Sequence, residues 1–120
     1  MFANTKLTNV EITDNAIIGN NAFENCSNLN EVAIGQNANI SSRAFYGAFA
    51  NDSKLTVAGG DISSYAFANS KVKDVTLSNV NSIGDYTFSR NNSLTTIVCN
   101  VVEGIGVNTF ANIDSLTTVD

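Results

Sequence analysis

The 120-residue chain has no His, no Pro and no Trp, and only 14% of its residues are charged. Without His the commonest general base is missing, which leaves carboxylates as the only ready source of acid-base chemistry. No run of 18 apolar residues occurs, so no helix is expected to insert into a membrane. Eleven acidic residues against six basic ones give a net charge of −5. That charge repels a phosphate backbone or an anionic membrane at long range, and nucleic acid is not expected as a partner. The segment Met1 to Lys6 lacks the charged-then-apolar layout of a secretory signal, so an exported protein is expected to be represented here by a mature form or a cut-out piece. Neither an Asp-rich calcium loop nor a Walker-type glycine loop appears, and Gly59-Gly60 reads only as a turn signal. No cofactor, no metal and no enzymatic activity are expected.

Apolar residues make up 43% of the chain, enough for a buried core, and the positions between them are mostly Asn, Ser and Thr. Such a composition is turn-rich and leans to β-structure. The apolar residues recur in phase. An Ile followed by a small or polar residue stands at Ile18, Ile40, Ile62, Ile83 and Ile105, in steps of 22, 22, 21 and 22. Five residues after each comes Phe23, Phe45, Phe67, Phe88 or Phe110, and Phe2 precedes Phe23 by 21. An aliphatic follows at Leu7, Leu29, Val72, Leu94 and Leu116, and then the pairs Val10/Ile12, Val32/Ile34, Val75/Leu77 and Ile97/Cys99. A Val-x-Ile pair has the period of two that puts both side chains on one face of a strand, whereas spacings of three suit a tight arc or 3₁₀ turn. One coil of this kind cannot bury its apolar side, so coils must stack into parallel strands with files of like side chains. About five and a half repeats of 21–22 residues would form a rod roughly 25 Å long.

The third repeat departs from the pattern. It reads as carrying four extra residues, Tyr46 to Phe49, with a strand portion around Leu55 and Val57 that is four residues short. Two readings are open: a bulged arc on the outer side, or a recognition loop with Tyr46 and Phe49 as exposed anchors. Cys26 and Cys99 occupy inward positions about three coils apart, roughly 15 Å, beyond the reach of a disulfide. Both are expected to be buried thiols. Asn-x-Ser sequons at Asn25, Asn39, Asn51 and Asn91 are no more than 19 Asn would produce by chance.

The segment Ile18-Gly19-Asn20-Asn21-Ala22-Phe23-Glu24-Asn25-Cys26-Ser27-Asn28-Leu29-Asn30-Glu31-Val32-Ala33-Ile34 carries the fullest copy of the unit. It resembles the BspA-like leucine-rich repeats of bacterial and protist surface proteins, and the resemblance spans essentially the whole chain. Ser41 and Ser63 stand where that family usually has Gly, and Thr87 and Thr109 where it has Ala. The resemblance implies a right-handed leucine-rich-repeat solenoid forming one domain over residues 1–120, whole or excised from a longer array. Parallel strands would lie on one face and short arcs on the other. It also implies an extracellular or cell-surface protein whose repeats bind a host or cell-surface ligand in adhesion, with no catalytic residues to carry over.

The ligand face is best sought on the strands, where the residue between two inward side chains must point outward. These residues are Glu11, Ala33, Thr76, Val98 and Asp120, flanked by Thr13, Gly35, Ser78 and Asn100. A mixed polar column with one exposed Val suits a protein or glycan. Glu11, Glu31, Asp74 and Asp120 are expected in different columns, and so not as an acid/base pair. Thr8, Thr56, Thr95 and Thr117 share the position after the aliphatic, but Asn30 and Lys73 interrupt the column, so a Thr ladder of the kind seen in ice-binding solenoids, which needs every rung, is not expected. Because solenoids need caps and none is visible, the alternative function is a structural subunit that self-associates through its open ends into a dimer or filament. The uncharged, β-prone stretch Thr96–Val102 favours that alternative.

Overall fold

The computed structural model of the protein describes residues 2–109 and 118–119, the strand residues 100–103 and 118–119 by backbone alone. Phe110, Leu116, Thr117 and Asp120 lie outside the described residues, as does the side chain of Asn100.

Each Val-x-Ile pair forms a strand as its alternation demands. β1 (Asn9–Ile12) pairs in parallel with β3 (Glu31–Ile34), which pairs with β5 (Ser53–Val57). Next come the first half of β7 (Val72–Ile83), then β8 (Thr96–Ile105), then β9 (Thr118–Val119). The register is in phase: Val10, Val32, Leu55, Val75 and Ile97 stand opposite one another, as do Ile12, Ile34, Val57, Leu77 and Cys99.

A second strand per coil, absent from the sequence reading, leads into each arc. β2 (Ile17–Ile18), β4 (Ala38–Ile40) and β6 (Gly60–Ile62) pair in parallel, and the far halves of β7 and β8 continue the series. In β7 and β8 the two strands of a coil run together through the corner, with register shifts between Leu77 and Ser82. Each coil therefore has two parallel faces, with the core between them.

The expected 3₁₀ arcs are turns instead: no helix of any kind occurs among the described residues. The amides of Ala22, Glu24 and Cys26 donate to the carbonyls three residues back, Gly19, Asn21 and Phe23. The intervening amides of Phe23 and Asn25 donate instead to Ala44 and Tyr46 of the next coil, at 2.7 and 2.8 Å. This alternation requires left-handed backbone on both sides of the Phe, at Asn21 (φ 61°) and Asn25 (φ 59°). Asn tolerates that region better than other residues with a Cβ. Eight of the 14 non-glycine residues with positive φ are Asn, which gives the abundance of Asn a backbone cause.

The Phe side chains fill the space behind the arc. Phe2, Phe23, Phe45, Phe67 and Phe88 stack in one file, with centroid spacings of 5.3, 4.9, 5.1 and 5.3 Å and interplanar angles of 14° or less. Phe45, Phe67 and Phe88 are fully buried. Thr87 and Thr109, in place of Ala, are tolerated because each hydroxyl donates to the carbonyl three residues back, Gly84 at 2.6 Å and Gly106 at 2.7 Å.

The third coil differs from its expected form. Leu55 and Val57 hold the strand register, and the arc from Phe45 to Leu55 is only one residue longer than that from Phe23 to Val32. The turn from Val57 to Ile62 is one residue shorter than that from Ile34 to Ile40, and the glycines make this possible. At Gly60 φ is +96° and a Cβ would lie 1.9 Å from the Ala38 carbonyl oxygen. Phe49 is no exposed anchor: it is fully buried, with its ring tilted against Phe45 at 5.7 Å and Phe67 at 6.3 Å. It occupies core volume that the neighbouring coil fills with larger side chains. Ala48 stands at the step of Cys26, and buried Ser53 stands opposite Val72.

Candidate functional site

Two surfaces carry side chains that the core does not use. On the first strand face, Glu11, Ala33, Thr76 and Val98 fall on successive rungs of one outward column, as the period of two requires. Thr56 completes it between Ala33 and Thr76. This removes Thr56 from the column of Thr8 and Thr95: it lies three residues beyond Ser53, the residue nearest their step, and follows Leu55, which stands at the step of Val32 and not of Leu29. Val98 is 41% exposed, and Glu11, Thr56 and Thr76 are exposed. Of the flanking residues, Thr13 is exposed, while Ser78 and Gly35 are half-buried. Gly35 is close-packed: a Cβ there would stand 2.3 Å from the Asp14 carboxylate, whose Oδ1 accepts the Gln36 amide at 2.7 Å.

Carboxylates do share a column. Glu31, Lys54 and Asp74 occupy consecutive rungs beside the outward column. Lys54 separates the two acids, so the arrangement is an alternating charge row, with each adjacent opposite pair contributing roughly 0.2–1 kcal/mol. Lys73 and Asp52 form an exposed ion pair at 3.4 Å. Cys26 is buried and its thiol donates to the Phe2 carbonyl at 3.0 Å, whereas Cys99 is only half-buried. Desolvation raises the Cys99 pKa above its ordinary value of 9.0. Among the described residues no three His, Cys, Asp or Glu side chains gather as a metal site. The Asn91 sequon is sealed: its side chain is fully buried and its amide donates to the Phe67 and Phe88 carbonyls at 2.8 and 2.9 Å.

The second surface lies on the outside of the arc. Counting from each Phe, the positions two before and two after are the left-handed ones, and the position one after lies between the Phe and the second of them. In coils three to five these positions hold Arg43, Tyr65 and Tyr86 before the Phe, and Tyr46, Asn69 and Arg90 after it. The rings of Tyr65 and Tyr86 stack 5.2 Å apart at 5°. Across from them stand Asn69 and Arg90, over a floor made by Ala68 and Ser89, with Tyr46 closing one end of a cavity of about 180 Å³. Arg43 lies 3.9 Å over the Tyr46 ring and 3.7 Å from Glu24. Asn69 donates to the Tyr46 hydroxyl at 2.7 Å, and Asn108 to that of Tyr86 at 2.9 Å. All three Tyr and both Arg of the chain are thus in this one region.

The family model for the BspA type leucine-rich repeat region matches residues 1–117 in 6 copies. The chain belongs to that family. Neither a curated protein nor a solved structure matches it. Leucine-rich repeats of this family are interaction modules, typically without enzymatic activity, and BspA-like proteins are typically found outside the cell or on its surface. The repeat accounts for the scaffold of this BspA-like chain but not for its groove. Of the groove residues, sequence reasoning had singled out Tyr46 alone. The signal was present in the fixed offsets of Tyr65 and Tyr86 from Phe67 and Phe88, yet only apolar positions had been aligned.

Proposed function

We propose that this chain is a non-enzymatic adhesion module that works outside the cell, presenting its outward strand column to a protein or glycan on a host or cell surface. The supporting observation is a contrast between the two sides of the same strands. Inward positions repeat from rung to rung as Val, Val, Leu, Val and Ile, while the outward column changes from Glu11 through Ala33, Thr56 and Thr76 to Val98. A constant interior carrying a varied exterior suits recognition of one irregular ligand, and it disfavours a lattice-like target that would need every rung alike. The face is extended and shallow, which suits contact spread over several rungs.

The test is a panel of glycans and matrix proteins probed at physiological salt with the wild-type chain, Val98→Asp and Thr76→Lys. A ligand of the strand face should lose at least tenfold in affinity, about 1.4 kcal/mol, to either change. A panel ligand bound equally by all three proteins would remove the strand face as its site.

One observation favours self-association as a second reading. Phe2 is 46% exposed and Ile17 78% exposed, beside Ile12, Ala16 and Ala22 on an apolar face of the first coil. Light scattering after size exclusion decides it: a monomer at high protein concentration, unchanged by Ile17→Asp, would reject this reading.

A further inference from the structure

We propose that the arc groove between the Tyr65–Tyr86 stack and Asn69–Arg90 binds an anionic sugar, a pyranose bearing a carboxylate or a sulfate, within an acidic glycan. The first argument is conformational. Positions bracketing the Phe are left-handed in every coil described, and the other coils fill them with Asn4, Asn21, Asn25 and Asn108. At the groove the same backbone carries Arg43 (φ 59°), Tyr65 (φ 62°), Tyr86 (φ 59°) and Arg90 (φ 59°). Bulky side chains are disfavoured there by roughly 1–2 kcal/mol each. Residues that break a local rule which their own repeat otherwise obeys mark a surface kept for something besides folding.

The second argument is chemical. The Tyr46 and Tyr86 oxygens accept hydrogen bonds from Asn69 and Asn108, which leaves each hydroxyl its own O–H to donate. The Arg90 guanidinium has no acidic partner among the described residues. The lining is therefore rich in donors and calls for an acceptor-rich, charged group. Arginine matches a carboxylate or sulfate in two-point geometry.

Shape supplies the ring. The small floor residues Ala68 and Ser89 let a ligand approach the backbone, while the tyrosines give an apolar wall for sugar C–H groups. Two coils at strand spacing span roughly 10 Å, enough for one or two sugar residues. The net charge of the chain does not oppose this placement. Glu11, Glu31, Asp61 and Asp74 sit on the strand faces, Glu24 is engaged by Arg43, and Asp85, next to Tyr86, accepts the Val107 amide at 2.9 Å.

The inference is tested by titration calorimetry at physiological salt with four probes: an unsulfated oligouronate, a sulfated neutral oligosaccharide, its unsulfated parent, and an Asp/Glu-rich peptide. The proteins are the wild type, Arg90→Asn, Tyr65→Asn and, as a strand-face control, Val98→Asp. At least one charged sugar should bind, at least tenfold more tightly than the neutral parent and the peptide, and the stronger of the two identifies the anion. Arg90→Asn and Tyr65→Asn should each weaken it at least tenfold. Arg90→Asn, which restores the residue other coils use, should melt no lower than the wild type. Val98→Asp should leave groove binding unchanged, so the strand face and the groove stand or fall separately. No binding of either charged sugar, equal binding of the peptide, indifference to Arg90→Asn, or a lower melting temperature for that variant would each overturn the assignment.

Discussion

The Phe file invites a quantitative test, with Phe67→Ala as the perturbation. Phe67 is fully buried and stacks on Phe45 at 5.1 Å and on Phe88 at 5.3 Å, with Phe49 at 6.3 Å. Truncating a buried Phe costs about 3–5 kcal/mol, combining lost transfer energy with the cavity left behind. The upper part of that range is expected here, because two coils hold the cavity walls apart by their own hydrogen bonds and three aromatic contacts, each worth about 0.5–1.5 kcal/mol, are lost together. For 120 residues the unfolding entropy near the midpoint is roughly 0.25 kcal/mol/K, so a loss of about 4 kcal/mol lowers the melting temperature by roughly 16 °C. Phe2→Ala is the internal control: Phe2 is 46% exposed and stacks on one ring only, so about 1–1.5 kcal/mol is expected. Urea denaturation followed by far-ultraviolet circular dichroism measures both. If Phe67→Ala cost no more than Phe2→Ala, the rings would not be acting as a continuous interior file, and the stacking argument would fail.

Two further outcomes follow from single side chains. The Ser53 hydroxyl is fully buried without a hydrogen-bond partner, so Ser53→Ala should raise stability by about 1 kcal/mol, read as a higher urea midpoint at unchanged slope. Burial raises the Cys99 pKa, so the folded chain holds its proton to higher pH than the unfolded chain does. Its contribution to stability is therefore complete below the unfolded pKa and declines as the pH rises through the folded one. Urea midpoints should fall in that alkaline window in the wild type, and Cys99→Ala should flatten the fall; an equal fall in both proteins would refute the assignment.

Much of the scaffold was legible in the residues, because files of like side chains are a one-dimensional code: the spacings of Phe23, Phe45, Phe67 and Phe88 give both the coil length and the interior. The second strand was not legible. Ile17–Ile18 and Ala38–Ile40 are too short for alternation to emerge from two or three residues. Phe49 misled for a related reason. A count along the chain cannot tell an inserted residue that bulges outward from one that turns inward to fill the gap beside Ala48. Thr56 was misplaced because it follows Leu55, which stands at the step of Val32 and not of Leu29, so it belongs to the outward column. On the strand face the outward column was readable as far as the period of two carried, to Glu11, Ala33, Thr76 and Val98. The groove escaped because its residues are neither apolar nor alike, and only their common offset from the Phe file joins them.

The placement of the tyrosines also makes the molecule self-reporting. With no Trp in the chain, its near-ultraviolet emission comes from Tyr46, Tyr65 and Tyr86, and all three border one cleft. A change in that emission under native conditions is a local signal, and quenching by a small solute would measure how open the cleft is. Occupancy there can thus be followed without attaching a dye, and a ligand that seats on the opposite flank should leave the emission unchanged.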